Sequence, residues 1–430
     1  MSPPGGFKVI RDPLWNNIEI EAEALAVLDT EPFQRLRYIR QLGHAFLVYP
    51  TANHTRFEHA VGTYHLARRA LGLLADHHQL ENVPPDDPAL VRLACLVHDI
   101  GHYPFSHALE EAGLPSHEEL AQRHFQHPEL RDALEATGLR DVAGRLRALI
   151  AGRGGSPLQG LISGSLDLDK LEYLTRDARM CGVPYGTVDV DRLLQALAVV
   201  PAADGTWTVG IREKGMSALE SLLFARYQMY RNVYWHHAVR SATAMFKRAV
   251  RNAIARGHLT VDAIADSADE ELMQTLRALD DDTLARRLRR RHLYKRVVDI
   301  AGEDVPAGAG DWVAENPDLV ERVEDVLARE LALQPGELLL DFPTKAKMLD
   351  VDMPLLKKDG TVLPLGTSPG SEQLGIQRVA NELHARARRL RVFAAEPRSI
   401  APAAVIELVE RKKNEVESEL ERNQFLIRRG

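Results

Sequence analysis

Residues 97–107 read VHDIGHYPFSH, and they follow directly on the apolar stretch PALVRLACL at residues 88–96. This stretch is apolar nearly all round, begins with a proline and is soon followed by Gly101, so it predicts a buried helix over residues 88–98. The helix dipole disfavours an acidic side chain such as Asp99 at a helix C-terminus, and a bound cation would offset that penalty. The run therefore predicts two metal ligands, His98 and Asp99, at the end of a buried helix.

Two other segments supply the same residue types far away along the chain. His59 ends the run TRFEH, and Asp169 lies in LDLDKLEYLTRD. Imidazoles and carboxylates together suit a divalent ion such as Mn, Fe, Mg or Zn, whereas a structural zinc site would favour thiolates. Three cations are available to neutralise a phosphate group: Arg56, Lys170 and Arg226. The set predicts metal-dependent hydrolysis of a phosphate ester.

The composition is that of an ordinary globular protein of 430 residues, 45% hydrophobic and 27% charged. A formal net charge of −7 argues against non-specific nucleic-acid binding as the main task. The two cysteines, Cys95 and Cys181, suggest no disulfide framework and fit a reducing compartment. The first residues lack an apolar signal core, and no stretch approaches about 18 uninterrupted apolar residues. We therefore expect a cytoplasmic protein without membrane association.

Hydrophobic periodicity predicts a mainly α fold. Apolar residues at three- and four-residue steps predict helices over residues 55–75, from Leu168 to just before Gly182, and from about 215 to 250. Residues 194–211 read as a hairpin around the turn residues PAADG.

The second part of the chain has a different character. Past about residue 255 the sequence becomes more charged, and the strand-like stretches LLLDF (338–342) and RVFAA (391–395) appear. The sequence ends in a charged segment, VIELVERKKNEVESELERN (405–423), which reads as one helix. We predict a helical catalytic domain over residues 1–255 and a smaller α+β lobe over residues 256–430.

The ordered motif series resembles one known family. The sequence is similar to the HD-domain phosphohydrolases, and within them to the deoxynucleoside triphosphate triphosphohydrolases. The similarity covers roughly residues 7–245 and, thinly, the segment LLLDFP. It implies an HD-type helical core. The matching residues are Arg56, His59, His98, Asp99, His102, His107, His117, Asp169, Lys170, Tyr173 and Asp177.

The resemblance implies roles for the histidines and aspartates. Four residues would hold one divalent metal: His59, His98, Asp99 and Asp169. The donor types fit Mn or Fe slightly better than Zn, and Mg also fits. Three histidines would activate water or protonate the leaving oxygen: His102, His107 and His117. A histidine suits that task because its ordinary pKa is about 6.5.

The resemblance also implies the substrate, a deoxynucleoside triphosphate (dNTP), and its contacts. The cations on the triphosphate would be Arg56, Lys170 and Arg226. Gln41 and Asp177 would contact the 3′-hydroxyl, Tyr234 would pack against C2′ and disfavour a ribose, and Tyr173 would help to close the pocket. Structural interpretations compete with these roles. Tyr234 and Tyr230 could be core aromatics, Asp177 a solvated charge, and Gln41 a hydrogen-bonding residue at a helix end.

A second nucleotide site is implied near the N-terminus. In regulated members of the family a guanine nucleotide, GTP or dGTP, lies between subunits and assembles a tetramer. The matching residues here are Lys8, Val9, Asp29, Gln34 and Arg37. Additional Mg would accompany the bound nucleotides, and a homo-oligomer, dimer or tetramer, is expected. Arg11 and Trp235 depart from the regulated members, and the alternative is that QRLRYIRQL is simply a basic amphipathic helix.

Three functions are compatible with the sequence. The first is hydrolysis of a dNTP to deoxynucleoside and inorganic triphosphate. The second keeps the metal and makes the protein a phosphodiesterase, a nucleotidase or an alarmone hydrolase. The third is a regulatory protein that binds nucleic acid through the basic runs ARRLRRRHLYKR (285–296) and HARARRLRV (384–392).

Overall fold

The computed structural model describes residues 7–202, 204–279, 283–306, 308–343, 351–366, 386–422, 424 and 426–427. The fold is mainly α. The α-helices are α1 (Ala22–Leu28), α2 (Glu31–Arg35), α3 (Arg56–Asp76), α4 (Asp87–Val97), α5 (His117–Phe125), α6 (Pro128–Glu135), α7 (Val142–Ile150), α8 (Leu168–Cys181), α9 (Val190–Ala196), α10 (Met216–Met229), α11 (His237–Ala255), α12 (Val261–Asp266), α13 (Asp269–Ala278), α14 (Thr283–Arg289), α15 (Asp311–Glu315), α16 (Pro317–Glu330), α17 (Pro402–Glu410) and α18 (Lys413–Glu421). No described helix is both long enough and apolar enough to cross a bilayer.

Nine described strands form three small sheets. The strands are β1 (Lys8–Asp12), β2 (Asn16–Ile20), β3 (Leu197–Pro201), β4 (Trp207–Arg212), β5 (Lys295–Ala301), β6 (Leu338–Asp341), β7 (Met353–Leu356), β8 (Val362–Leu365) and β9 (Arg389–Ala394). They are ordered β1-β2, β3-β4-β7-β8 and β5-β9-β6. The two stretches predicted as strands from LLLDF and RVFAA are β6 and β9, and they pair antiparallel with Leu338 opposite Ala394. Strands β3 and β4 lie in the predicted first domain and β7 and β8 in the second, so the two segments share one sheet.

The helices that carry the quoted motifs begin and end close to where the sequence predicts. Helix α3 starts after Thr55, whose backbone N–H donates to the Glu58 carboxylate. Helix α4 has Pro88 in its first turn and ends at Val97, directly before His98. In α8 the Asp167 side chain accepts the Lys170 N–H at 2.9 Å, and Gly182 ends the helix with a φ of 67°. Helix α3 packs against both α4 and α8. These three helices therefore bring the distant motifs together.

The predicted long helix over residues 215–250 is wrong in one respect, because it is two helices. After α10 the chain makes a π-helical turn over Tyr230–Tyr234, and the Trp235 N–H donates to the Tyr230 carbonyl five residues back. His236 is extended, and its ring nitrogen Nδ1 accepts the Ala238 N–H and starts α11. π-turns inside helices are frequent at functional sites, and this one carries Tyr234.

Two other predictions need correction. The first strand of the hairpin predicted over residues 194–211 begins only at Leu197, because residues 194–196 complete α9. The terminal segment forms two helices, α17 and α18, since Arg411 and Lys412 are both extended. The Lys412 N–H donates to Glu415 at 2.9 Å, which starts a new helix at that point.

Candidate active site

Three of the four predicted metal ligands converge on one point. His59 comes from the first turn of α3, His98 follows α4, and Asp169 is in the first turn of α8. The His59 Nε2 lies 3.2 Å from the His98 Nε2 and 2.9 Å from the Asp169 Oδ1. The three donor atoms lie within 4.8 Å of one another and could hold a metal ion. We call these three residues the metal group.

Asp99 lies beside the metal group. Its carboxylate oxygens are 3.4 Å from the His98 Nε2 and 3.6 Å from the His59 Nε2, and the Arg56 Nη1 donates to it at 2.5 Å. Burial opposes its ionisation, but Arg56, His98 and His102 together hold the pKa of Asp99 well below its usual value. Asp99 is therefore an ionised carboxylate close enough to contact an ion held by the metal group. The all-nitrogen and oxygen donor set fits a divalent cation.

Glu172 supports the metal group, and sequence reasoning missed it. Its Oε2 accepts a hydrogen bond from the His59 Nδ1 at 2.6 Å, which leaves the Nε2 of that ring to bind an ion. Its Oε1 accepts from Arg176 and from the Trp15 indole. Burial opposes ionisation, but Arg176 and His59 lower the pKa of Glu172 to about 2. A Cβ on Gly62 would lie 2.1 Å from the Glu172 Oε1, so this close approach requires glycine.

The three predicted catalytic histidines also converge, and they do so around Glu110. The Glu110 Oε1 lies 2.9 Å from the His117 Nδ1, 3.2 Å from the His107 Nδ1 and 3.9 Å from the His102 Nδ1. The rings of His102 and His117 are stacked with centroids 4.0 Å apart. We call these four residues the catalytic group, after the role that the sequence predicts for its three histidines. Their donor atoms also lie within 4.8 Å of one another and could hold an ion. Sequence reasoning missed Glu110, although it lies only three residues after His107 in the quoted motif.

Asp99 connects the two groups. Its Oδ1 is 3.1 Å from the Nε2 of the buried His102 and 3.4 Å from the Nε2 of His98. Burial, Arg56 and His117 lower the pKa of His102 well below its usual value, so this ring is neutral. The two groups therefore form one continuous centre.

A strained turn carries His107. Phe105 and Ser106 both have left-handed backbones, with φ of 58° and 60°. Such a conformation costs a residue other than glycine on the order of 1–3 kcal/mol. The Phe105 ring stacks on His44 with centroids 4.3 Å apart, and the Arg56 Nε donates to the Ser106 Oγ at 3.0 Å. The turn brings the His107 ring to 4.6 Å from that of His102.

Several predicted substrate contacts surround one buried carboxylate. Asp177 is 1% exposed, so it is not a solvated charge. It accepts from the Tyr234 hydroxyl at 2.7 Å and lies 2.8 Å from the His54 Nε2. The Gln41 N–H donates to the His54 carbonyl. The buried Gln41 Oε1 has no hydrogen-bond partner among the residues that the structure describes, which leaves it able to accept a hydrogen bond from a ligand.

The other predicted substrate residues have varied surroundings. The Tyr173 and Tyr234 rings are 6.3 Å apart, and Arg226 lies 5.9 Å from the Tyr230 ring. The buried Arg226 Nε has no hydrogen-bond partner within the described part of the chain. Lys170 is turned toward the Gly164 carbonyl and the Asp167 carboxylate. Arg56 is buried and donates to the Asp99 carboxylate and to the Ser106 Oγ. It therefore contacts the residue that connects the two groups.

The residues predicted for nucleotide regulation lie at the surface. Lys8, Val9, Asp29 and Arg37 are exposed, and Gln34 is half-buried. The Arg37 Nε donates to the Gln34 Oε1 at 2.7 Å, and its guanidinium carbon lies 3.4 Å from the centre of the Phe57 ring. Arg37 and Gln34 are therefore in contact with each other.

Several cations of the basic runs that could bind nucleic acid are paired with acids within the chain. Arg289 contacts Glu270, and Arg296 contacts Asp299. In the second run Arg389 and Arg391 both contact Asp299; its first two residues, 384–385, lie outside the described part of the chain. These pairings reduce the charge available to a phosphate backbone.

Comparisons with known proteins identify the family. Residues 56–144 match the HD domain, and residues 188–412 match the HD associated region. The chain therefore belongs to the HD-domain proteins that carry this associated region. All the predicted histidine ligands and catalytic histidines lie in the first match, whereas Asp169 follows it.

Curated relatives cover much of the chain. An uncharacterized protein of Methanocaldococcus jannaschii is 38% identical over 68% of this chain and 60% of its own length. The uncharacterized protein YwfO of Bacillus subtilis is 33% identical over 57% of this chain and 56% of its own length. The human deoxynucleoside triphosphate triphosphohydrolase SAMHD1 is 26% identical over 81% of this chain and 62% of its own length. The chain thus spans about three fifths of the length of these relatives.

Solved structures share the fold over nearly the whole chain. A hypothetical protein from Aquifex aeolicus has a TM-score of 0.68 and 26% identity, covering 96% of this chain and 100% of that one. A phosphohydrolase from Bacteroides thetaiotaomicron has a TM-score of 0.69 and 23% identity over 90% of this chain and 100% of its own, a likeness of fold.

Proposed function

We propose that this chain is a metal-dependent hydrolase that converts a dNTP to a deoxynucleoside and inorganic triphosphate. The observation that carries the proposal is the direct connection of a metal group to a histidine-rich catalytic group through Asp99. The resemblance to named triphosphohydrolases of this family directs the choice of substrate.

The proposed reaction adds water to the α-phosphorus and breaks its bond to the 5′-oxygen. One proton leaves the attacking water, and one is delivered to the 5′-oxygen of the leaving deoxynucleoside. His59, His98, Asp99 and Asp169 would hold one divalent ion, with Mn, Fe or Mg favoured over Zn. When bound, such an ion polarises phosphoryl oxygen and lowers the pKa of water.

The chain's own residues would handle the protons. Glu110 contacts His107 and His117 through their Nδ1 atoms, so their Nε2 atoms can exchange protons with a substrate. The neutral His102 stacks on His117 and fixes its plane. Glu110 stabilises whichever of the two imidazoles is protonated at a given step.

The surroundings of Asp177 support a deoxyribose pocket. We propose that Asp177 and the unpaired Gln41 Oε1 bind the 3′-hydroxyl, while Tyr234 stacks on C2′ and Tyr173 closes the pocket. The hydrogen bond from Tyr234 to Asp177 orients that ring. Arg226 and Lys170 would neutralise the triphosphate, with Lys170 released from Asp167. Arg56, which contacts Asp99, would contribute a further positive charge.

The product identifies the reaction. Purified protein incubated with each dNTP and with Mn²⁺ or Mg²⁺ should release deoxynucleoside and intact triphosphate, detected by ion-exchange chromatography. Turnover of the matching ribonucleotides should be at least about tenfold slower, since a pocket built against one added group discriminates by roughly 10–200-fold. Release of pyrophosphate or orthophosphate would instead indicate the phosphodiesterase, nucleotidase or alarmone hydrolase alternative.

We further propose that GTP or dGTP, with Mg²⁺, binds at Lys8, Val9, Asp29, Gln34 and Arg37 and assembles the chain into a dimer or tetramer. An aspartate can accept from the guanine N1–H and amino group, and an arginine can donate to O6 or N7. The contact of Arg37 with Gln34 and Phe57 holds that guanidinium at the surface, which supports this role.

Light scattering tests the assembly. GTP or dGTP with Mg²⁺ should raise the molar mass of the protein at least twofold, and Asp29→Ala should remove this response. Glu23→Ala is the matched control, because Glu23 is an exposed acid in α1, the short helix that Asp29 directly follows. A mass that is unaffected by nucleotide, or an Asp29→Ala protein that responds normally, would contradict the regulatory site.

A further inference from the structure

Asp269 joins two parts of the centre from far along the chain. It is the first residue of α13 and is 1% exposed. Its Oδ1 accepts the Phe105 N–H at 2.8 Å. Its Oδ2 accepts the Arg40 backbone N–H and the Arg40 Nη1, both at 3.1 Å. Asp269 thus belongs to the HD associated region, while both its partners lie nearer the N-terminus.

Both partners lead directly to site residues. Phe105 and Ser106 form the left-handed turn that carries His107, and Arg40 precedes Gln41 in the sequence. The two segments also contact each other, since the Ser106 Oγ donates to the Arg40 carbonyl at 2.8 Å. A Cβ on Gly43 would lie 2.9 Å from the Phe105 carbonyl oxygen, so the backbones of the two segments pack closely at this glycine. The Asp269 carboxylate therefore holds together two chain segments, at Arg40 and at Phe105, that line the centre.

The turn needs an external acceptor. Two consecutive left-handed residues are unfavourable, and they persist only where surrounding groups determine them. A buried backbone N–H must also be paired, and an ionised acceptor makes a stronger bond than a neutral one. The Asp269 carboxylate meets both needs at Phe105. Its two oxygens face donors only, namely the Phe105 N–H, the Arg40 N–H and the Arg40 guanidinium.

We propose that Asp269 is a positioning residue for the reaction proposed above. Its carboxylate holds the turn at Phe105 and Ser106, and through this turn it places His107 against Glu110 and His102. This inference rests on the proposed function for its effect on turnover. It makes the HD associated region a part of the working centre, although the metal group lies outside that region.

A simpler role for Asp269 is to stabilise the start of α13 through the helix dipole. The first turn of that helix contains two more acids, Glu270 and Glu271. Glu271 already accepts the Ala268 N–H at 2.8 Å and caps the helix. Loss of Glu270 therefore removes one negative charge from the start of the same helix. It leaves the Phe105 turn untouched, because Glu270 contacts the Arg40 side chain but not that turn.

The experiment compares Asp269→Asn and Asp269→Ala with the control Glu270→Gln. We expect kcat to fall by roughly 10–100-fold in Asp269→Ala, as misplacement of a catalytic group by about 1 Å can do. Metal content should stay near the wild-type value, and any rise in KM through Arg40 and Gln41 should be smaller than the fall in kcat. Asp269→Asn should be intermediate, because an amide keeps one acceptor but turns a donor toward Phe105 or Arg40. Glu270→Gln should keep the wild-type kcat.

The outcomes separate the two proposals. If the wild type releases no triphosphate from any dNTP, the proposed function fails, and a crystal structure of Asp269→Ala then decides the positioning role. Movement of Phe105 and Ser106 out of the left-handed region would support it, and an unchanged turn would overturn it. If the wild type is active but Asp269→Ala turns over like Glu270→Gln, the positioning role is wrong. Should Asp269→Ala fail to fold, the kinetics and crystal structure of Asp269→Asn apply the same criteria.

Discussion

Replacing His98 with alanine should remove bound metal and lower turnover by at least about 10³-fold, since a metal ion contributes several kcal/mol of transition-state stabilisation. The His98 Nε2 is 3.2 Å from the His59 Nε2 and 3.5 Å from the Asp169 Oδ1, so its loss opens the metal group. Its other nitrogen, Nδ1, donates to the Cys95 carbonyl at 3.0 Å, which orients the ring. Metal content after dialysis, measured by mass spectrometry, and kcat are the two observables.

The matched control is His77→Ala, which removes an exposed histidine at the end of α3. It should keep both the metal and the turnover of the wild type. Asp99→Ala should behave like His98→Ala, because Asp99 is within 3.6 Å of both imidazole Nε2 atoms of the metal group. A His98→Ala protein with wild-type metal content and activity, or a wild type that remains fully active after exhaustive chelation, would refute the metal-dependent mechanism.

Replacing Glu110 with glutamine should lower kcat by about 10²-fold or more, within the range that general acid–base catalysis contributes. Burial opposes the ionisation of Glu110, but its hydrogen bonds with His107 and His117 hold its pKa well below the usual value. The carboxylate is therefore charged next to both imidazoles. Glutamine has nearly the same shape but no charge, so it cannot stabilise a protonated imidazole. KM should change little.

Glu118→Gln is the control for Glu110→Gln, because Glu118 is exposed and directly follows His117. It should leave kcat unchanged. Metal content distinguishes two uses of the catalytic group. If Glu110→Gln keeps the bound ion, as we expect, Glu110 acts through the histidines. If the ion is lost together with activity, the ion is held by the catalytic group, and its assignment to His59, His98, Asp99 and Asp169 is wrong.

Local sequence patterns predicted the elements that carry the site. The apolar run before His98 and the stop at Gly182 define α4 and α8 closely, because helix periodicity and end signals depend on near neighbours. The pattern failed at Trp235, where α10 and α11 are separate. The break consists of a π-turn and of a new helix capped by the His236 side chain. Neither feature interrupts the spacing of the apolar residues, so the periodicity does not reveal the break.

The sequence by itself determined which chemistry is available: dispersed histidines and aspartates suited to a divalent ion, a compact set of histidines suited to proton transfer, and a mainly α chain to hold them. Only the tertiary structure decided which carboxylates serve those residues. Glu172, Glu110 and Asp269 look like ordinary charged helix residues in the sequence. Their roles come from hydrogen bonds with His59, His107 and Phe105. Burial and long-range hydrogen bonding arise only when distant segments pack, and periodicity within one segment does not record them.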